Sequence, residues 1–172
     1  MSELTSHPAE QAVIYVGAAS LSIVIGYQEQ PKGFIEIEHM DRPLPIARDI
    51  FRTGIVTRST MEQAAGILRD FLRSTKEYRI PLEAIRLYNT NILSEASNHE
   101  IFLNRLQVTT GLTARLIDDG DMTRLVYQIA RRLLEKNPKL AAGNTFVSHI
   151  GPGNTRALYF KDGRLEAYSN YR

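Results

Sequence analysis

The spacing of apolar and polar positions changes period several times along the chain. After the polar opening "MSELTSHPAE", the segments "AVIYV" and "SLSIVIGY" are dense in β-branched residues and predict two strands joined by a tight turn at Gly17-Ala18-Ala19. "FIEIEHM" alternates apolar with polar and predicts a half-buried third strand. Residues 1–11 are read as disordered, and "DRPLPIARDIFRTGIVT" as a loop with extended pieces. Met61, Ala64, Ala65, Leu68, Phe71 and Leu72 then recur at helical spacing behind a Ser59-x-x-Glu62 capping box, which predicts a helix from about 60 to 77. "AIRLYNT" is a short buried strand. Ser97-x-x-Glu100 caps a second helix carrying Ile101, Phe102 and Leu106 and ending at Gly111, a residue suited to a left-handed C-terminal position. "TARLI" gives another strand. Acidic "DDGD" opens a third helix with an apolar stripe of Leu125, Val126, Ile129, Ala130, Leu133 and Leu134, which Asn137-Pro138 ends. "TFVSHI", "RALYF" and "RLEAY" return to strand, separated by Gly151-Pro152-Gly153 and by Asp162-Gly163, a strong hairpin signal.

The predicted order is βββαβαβα, followed by three strands that open the same series again. An apolar strand, a glycine turn and a second apolar strand begin each series, which suggests an internal duplication. The fold class is α/β: a first lobe over 12–120, then a linking helix and the start of a second lobe over 121–172, read as truncated. Two such lobes would face one another across a cleft.

Composition adds limits. With 172 residues, 43% of them hydrophobic, a core can be filled. A net charge of +2, from 21 basic and 19 acidic side chains, supplies no broad field, so neither nucleic acid nor an anionic membrane is expected as a partner. Any anion site must be local. Without cysteine there are no disulfides or thiolate metal sites, and without a spanning apolar run or leader the expected location is the cytoplasm. The four histidines, His7, His39, His99 and His149, are scattered without ligand spacing.

The two glycine turns carry the candidate chemistry. A turn free of bulky side chains lets backbone N–H groups converge on a ligand, and such a nest favours phosphate oxygens. Gly17, Gly151 and Gly153 remove Cβ atoms from that approach, Ala18 adds little bulk, and Ser20, Asn154 and Thr155 bring hydroxyl or amide donors. Either turn taken alone also reads as an ordinary hairpin.

With these segments in view, the chain resembles the exopolyphosphatase and guanosine pentaphosphate phosphatase (Ppx/GppA) family, within the actin, Hsp70 and sugar kinase superfold, which is ribonuclease H-like. "YVGAASLS" stands where that family has approximately D-I-G-S-N-S-x-R, and "HIGPGNTR" where it has D-I-G-G-G-S-T-E. Residues 90–98, "TNILSEASN", follow its T-[SN]-x-[LV]-R-E-A-x-N segment. The resemblance covers 12–172 and implies a phosphate-rich ligand, polyphosphate or a guanosine phosphate.

Departures fall on the positions that the resemblance makes chemical. Tyr15 and His149 stand where carboxylates would help hold a divalent metal, so Mg²⁺ is implied only for an active enzyme and no cofactor is otherwise expected. Ser22 and Ser94 replace phosphate-clamping arginines, and Arg156 replaces a glutamate that would position water. "DDGDMTRL" offers Asp121 as the one retained catalytic acid. Each has a plainer reading: Tyr15 as a strand aromatic packed under the first helix, Arg156 as a solvent-facing strand residue, Asp121 as a first-turn acid on the helix dipole. Three functions stay open. The chain is a degenerate domain that binds its ligand through the two turns and Arg156 with little hydrolysis, an active phosphohydrolase using Asp121, or an interaction module with a vestigial cleft. Homo-oligomerisation through an open sheet edge is a further expectation.

Overall fold

The structure is a computed structural model that describes residues 9–151 and 154–171. Most of the expected disordered opening, and Gly153 of the second turn, lie outside the described residues. The chain divides into two compact units, Met1–Leu116 and Ile117–Arg172, a few residues before the boundary expected at 120.

The first unit is built on β1 (Gln11–Val16), β2 (Ser20–Glu29), β3 (Gly33–Pro43), β4 (Ile85–Thr90) and the short β5 (Arg115–Ile117), in the order β3-β2-β1-β4-β5. β1 pairs antiparallel with β2 and parallel with β4. This is the layout of the actin-like, ribonuclease H-like superfold, and the α/β class expected from the sequence is found. Alternation sets the two faces: Ala12, Ile14, Val16, Leu21, Ile23, Ile25, Ile85 and Leu87 are buried in one core. α2 (Arg58–Glu77) and α3 (His99–Thr110) close that core with Ala64, Leu68, Phe71, Phe102 and Leu106. Each fully buried side chain of this size contributes about 1.5–3 kcal/mol.

Several local expectations are corrected. The segment read as a loop contains a helix, α1 (Ile46–Thr53), started after Pro45, buried through Ile46, Ala47 and Ile50, and closed by Gly54 at φ 73°. Proline, which rigidifies a loop, here begins a helix because its missing N–H costs nothing there. The cap of α2 is Thr57, whose hydroxyl oxygen accepts from Thr60 N–H, and not Ser59. Ser97 does not cap α3. Its N–H donates to Gly54 O at 2.9 Å, and Asn98 is the cap residue. Ile101, expected in the apolar stripe of α3, is 65% exposed, whereas Phe102 and Leu106 are buried as expected.

The second unit holds α4 (Asp119–Lys136), a short α5 (Pro138–Ala141) absent from the sequence reading, and an antiparallel sheet of β6 (Asn144–Gly151), β7 (Asn154–Lys161) and β8 (Arg164–Tyr171). Val126, Ala130 and Leu134 of α4 pack with Leu158 and Phe160 of β7, and Tyr127 stacks on Phe160 with ring centroids 6.1 Å apart. Leu125, Ile129 and Leu133, the other half of the expected stripe, stay on the exposed side. The Asp162-Gly163 turn has φ of 48° and 75°, the doubly left-handed backbone its sequence calls for. Among the described residues, no helix is long and apolar enough to cross a membrane.

Candidate functional site

In the first unit the site is the C-terminal end of the parallel neighbours β1 and β4, where the strand order changes direction and α/β sheets open a crevice. Gly17 closes the β1–β2 turn, its N–H donating to Ser20 O at 2.9 Å. A Cβ on Gly17 would stand 3.0 Å from Ser20 O and 3.2 Å from the Tyr15 ring, which is why glycine occupies this position. Ala18 is buried against Ala47 and Ile92. Its carbonyl accepts from Ala47 N–H at 2.7 Å, and that of Ala19 from Leu44 N–H at 2.9 Å. The start of α1 thus holds the turn's carbonyls, leaving the Ala18 and Ala19 N–H groups without a partner among the described residues.

Ala18 and Ile92 share one small buried cluster with Ala47, which brings the central segment near this turn. β4 ends at Thr90, and a 3-10 turn, Asn91–Glu95, follows, fastened by Ser94 Oγ donating to Asn91 O at 2.6 Å. Thr90, Asn91 and Ser94 form a locally bonded, uncharged set: the Thr90 hydroxyl donates to Asn91 Oδ1 at 3.4 Å and Ser94 to Asn91 O. Tyr15 pairs with Ser22 on β2 and Tyr88 on β4. It lies on the face opposite Ile14, so it does not pack under the helix that covers the core face.

In the second unit Arg156 is not the solvent-facing strand residue of its plainer reading. Its position on β7 matches Leu158 and Phe160 in alternation, and it is 2% exposed. Nη2 donates to Asp119 Oδ1 at 2.6 Å and Nη1 to Asn154 Oδ1 at 2.8 Å. The Nε of Arg156 and the Nδ1 of His149, its cross-strand partner on β6, are buried without a hydrogen-bond partner among the described residues. Gly151 lies between them and the loop: a Cβ there would meet Asn154 Oδ1 at 3.2 Å and His149 Cε1 at 3.4 Å. Thr155 is half-buried, paired with Ile150 on β6 and Tyr171 on β8.

The acid brought to the second turn is Asp119. Asp121, the expected catalytic acid, is exposed on the first turn of α4, where its N–H donates to Asp118 Oδ1 at 2.7 Å. The signal for Asp119 lay in β7 itself, because a guanidinium on a core-facing strand position needs a carboxylate, and "DDGD" supplies acids at the head of the next packed helix. The described residues of this turn do not fit Mg²⁺, which demands octahedral oxygen ligands. The chain offers an imidazole and a guanidinium that already holds the nearby carboxylate.

No family model matches the chain, and no curated protein sequence matches it. Solved structures do. The Aquifex aeolicus member of the Ppx/GppA protein family is similar at 19% identity and a TM-score of 0.74, over 96% of this chain and 51% of that one. An exopolyphosphatase from Cytophaga hutchinsonii is similar at 14% identity and a TM-score of 0.75, over 94% and 50%. An exopolyphosphatase-like protein is similar at 18% identity and a TM-score of 0.71. The chain spans about half the length of these structures. Its fold, βββ with a parallel fourth strand and a second three-stranded unit, is that of the Ppx/GppA structures over that half.

Proposed function

We propose that this chain is a Ppx/GppA-type domain that binds a phosphate-rich ligand, polyphosphate or a guanosine phosphate, with little hydrolysis. The observation that carries the reading is Arg156, buried and held by Asp119 and Asn154, where the resemblance implies a glutamate that positions water. Phosphoanhydride hydrolysis needs an oriented nucleophile, a base and cations on the transferring oxygens. A base alone is worth about 10²–10⁴-fold in rate. With a fixed cation in place of the acid, and with Asp121 exposed, the described residues of the second unit do not assemble those groups. Binding has other support. The Ala18 and Ala19 N–H groups, with the Ser20 hydroxyl next in the chain, offer neutral donors to phosphate oxygens at the first turn.

The test is phosphate release from long-chain polyphosphate and from guanosine pentaphosphate with Mg²⁺ present, comparing the chain with Asp121→Ala. The expected result is calorimetric binding without release above background. Release that Asp121→Ala abolishes would instead make the chain an active phosphohydrolase with Asp121 as its base.

A further inference from the structure

The α3 helix is apolar on more than one side. Phe102 and Leu106 face the core, while Ile101 is 65% and Val108 74% exposed. These two lie seven residues apart, about two turns and roughly 10 Å along one face. A helix with apolar residues around its circumference is expected to be covered on both sides. The outward pair does not lie on a flat surface. With Met61 of α2 it forms the apolar part of a groove of about 420 Å³ between the two helices, which run from neighbouring ends because Asn98 bonds both the N–H and the C=O of Val56.

The rim of the groove selects its occupant. Arg58 and Arg105 line it, with Glu62 as the acid. Glu62 is taken by Arg58, whose Nε lies 2.8 Å from Glu62 Oε1. Arg105 has no ion-pair partner among the described residues, so the groove presents one uncompensated positive charge beside its apolar floor. A second copy of the chain is a poor occupant. A two-fold axis that set Ile101 against Val108 of the other copy would pass between Asn104 and Arg105 and bring the two Arg105 side chains together. Like charges so placed oppose association.

We infer that the α2/α3 groove docks an amphipathic helix of another protein, carrying apolar anchors on one face and carboxylates beside them. Helix-in-groove recognition uses anchors spaced at i, i+4 and i+7, which suits the spacing of Ile101 and Val108. An acid on the docked helix would pair with Arg105 at the rim, setting orientation and speeding encounter. The surface is separate from the phosphate site proposed above and does not depend on it.

The probe is a pair of synthetic fourteen-residue amphipathic peptides with the same leucine stripe, one flanked by glutamates and the other by lysines. They are titrated into the full chain while the methyl resonances of Met61, Ile101 and Val108 are followed. The glutamate peptide should shift those methyls, and Arg105→Glu should weaken it at least about tenfold while admitting the lysine peptide. Ile101→Ser with Val108→Ser, both exposed and so compatible with the fold, should abolish binding at an unchanged melting temperature. Shifts elsewhere, equal binding of the two peptides, or indifference to Arg105→Glu would overturn the inference. So would concentration-dependent self-association of the chain that the double serine variant removes, since a second copy would then fill the groove.

Discussion

Arg156 Nη2 lies 2.6 Å from Asp119 Oδ1, and through this contact the middle strand of the second unit grips the first turn of α4. The Arg156 side chain is 3% and the Asp119 side chain 23% exposed, so the pair works largely out of water. Removing one partner of a buried pair leaves an uncompensated charge, which costs about 3–5 kcal/mol, while replacing both with apolar groups is often close to neutral. Asp119→Ala should therefore destabilise the chain by about 3 kcal/mol. Asp119→Ala with Arg156→Met should recover most of that loss. Urea unfolding of the two single variants and the double variant measures the coupling. Additive losses would mean that the contact holds nothing together.

How far the sequence discloses this arrangement depends on the kind of signal. The turn at Asp162-Gly163, the end of α3 at Gly111 and the strands β1 and β2 follow from local backbone chemistry and apolar content, and they appear where expected. The helix α1 was hidden because it is only eight residues long and has prolines just ahead of it, although Pro45 and Gly54 mark its two ends. The caps were misassigned for a related reason. A Ser-x-x-Glu spacing is local, whereas Thr57 is selected by Asp49 from the previous helix and Ser97 is drawn away by Gly54. Arg156 was misread because a charged residue at a strand position suggests solvent, and only its alternation with Leu158 and Phe160 argues otherwise.

Asp49 yields a prediction in pH. It is buried in α1, and its Oδ2 accepts from the Thr57 N–H at 3.1 Å and from the Thr57 hydroxyl at 2.7 Å. Burial pushes its carboxyl up, but the hydrogen bonds from Thr60 and Thr57 outweigh burial and hold it below the ordinary 3.8. A carboxylate whose folded-state value is depressed adds stability that is fully present above its unfolded value and lost as pH falls through the folded one. The chain should thus lose stability below about pH 4 more steeply than Asp49→Asn, which has no charge to titrate. Asp49→Ala should cost about 2 kcal/mol at neutral pH, in the range for hydrogen bonds to a charged group. Parallel slopes for the chain and Asp49→Asn between pH 5 and 2 would remove Asp49 from the acid response.

The β2–β3 ladder gives a steric test. Its register shifts between Ile25 and Gly26, a bulge that brings β3 close to the glycine. A Cβ on Gly26 would fall on the carbonyl oxygen of Ile35 and stand 2.6 Å from Phe34 Cζ. The ring can swing aside, but the carbonyl belongs to the sheet. Gly26→Ala should therefore cost about 3 kcal/mol, the upper range for overpacking. A loss below about 1 kcal/mol in urea unfolding would show that the bulge can relax.

Two other glycines separate backbone strain from crowding, because neither would meet an atom within 4 Å if given a Cβ. Gly66 sits within α2, where glycine costs about 1 kcal/mol relative to alanine through the freedom it loses on folding. Gly54 ends α1 at φ 73°, its N–H donating to Ile50 O at 2.8 Å, in the left-handed region that costs an L-residue roughly 1–2 kcal/mol. The same substitution should then act in opposite directions. Gly66→Ala should stabilise by about 0.5–1 kcal/mol, and Gly54→Ala should destabilise by about 1 kcal/mol. Chemical denaturation followed by helical circular dichroism compares them directly. If Gly54→Ala proved neutral, the left-handed end of α1 would not be what stops that helix, and the bonds from Ser97 to Gly54 O would have to do so alone.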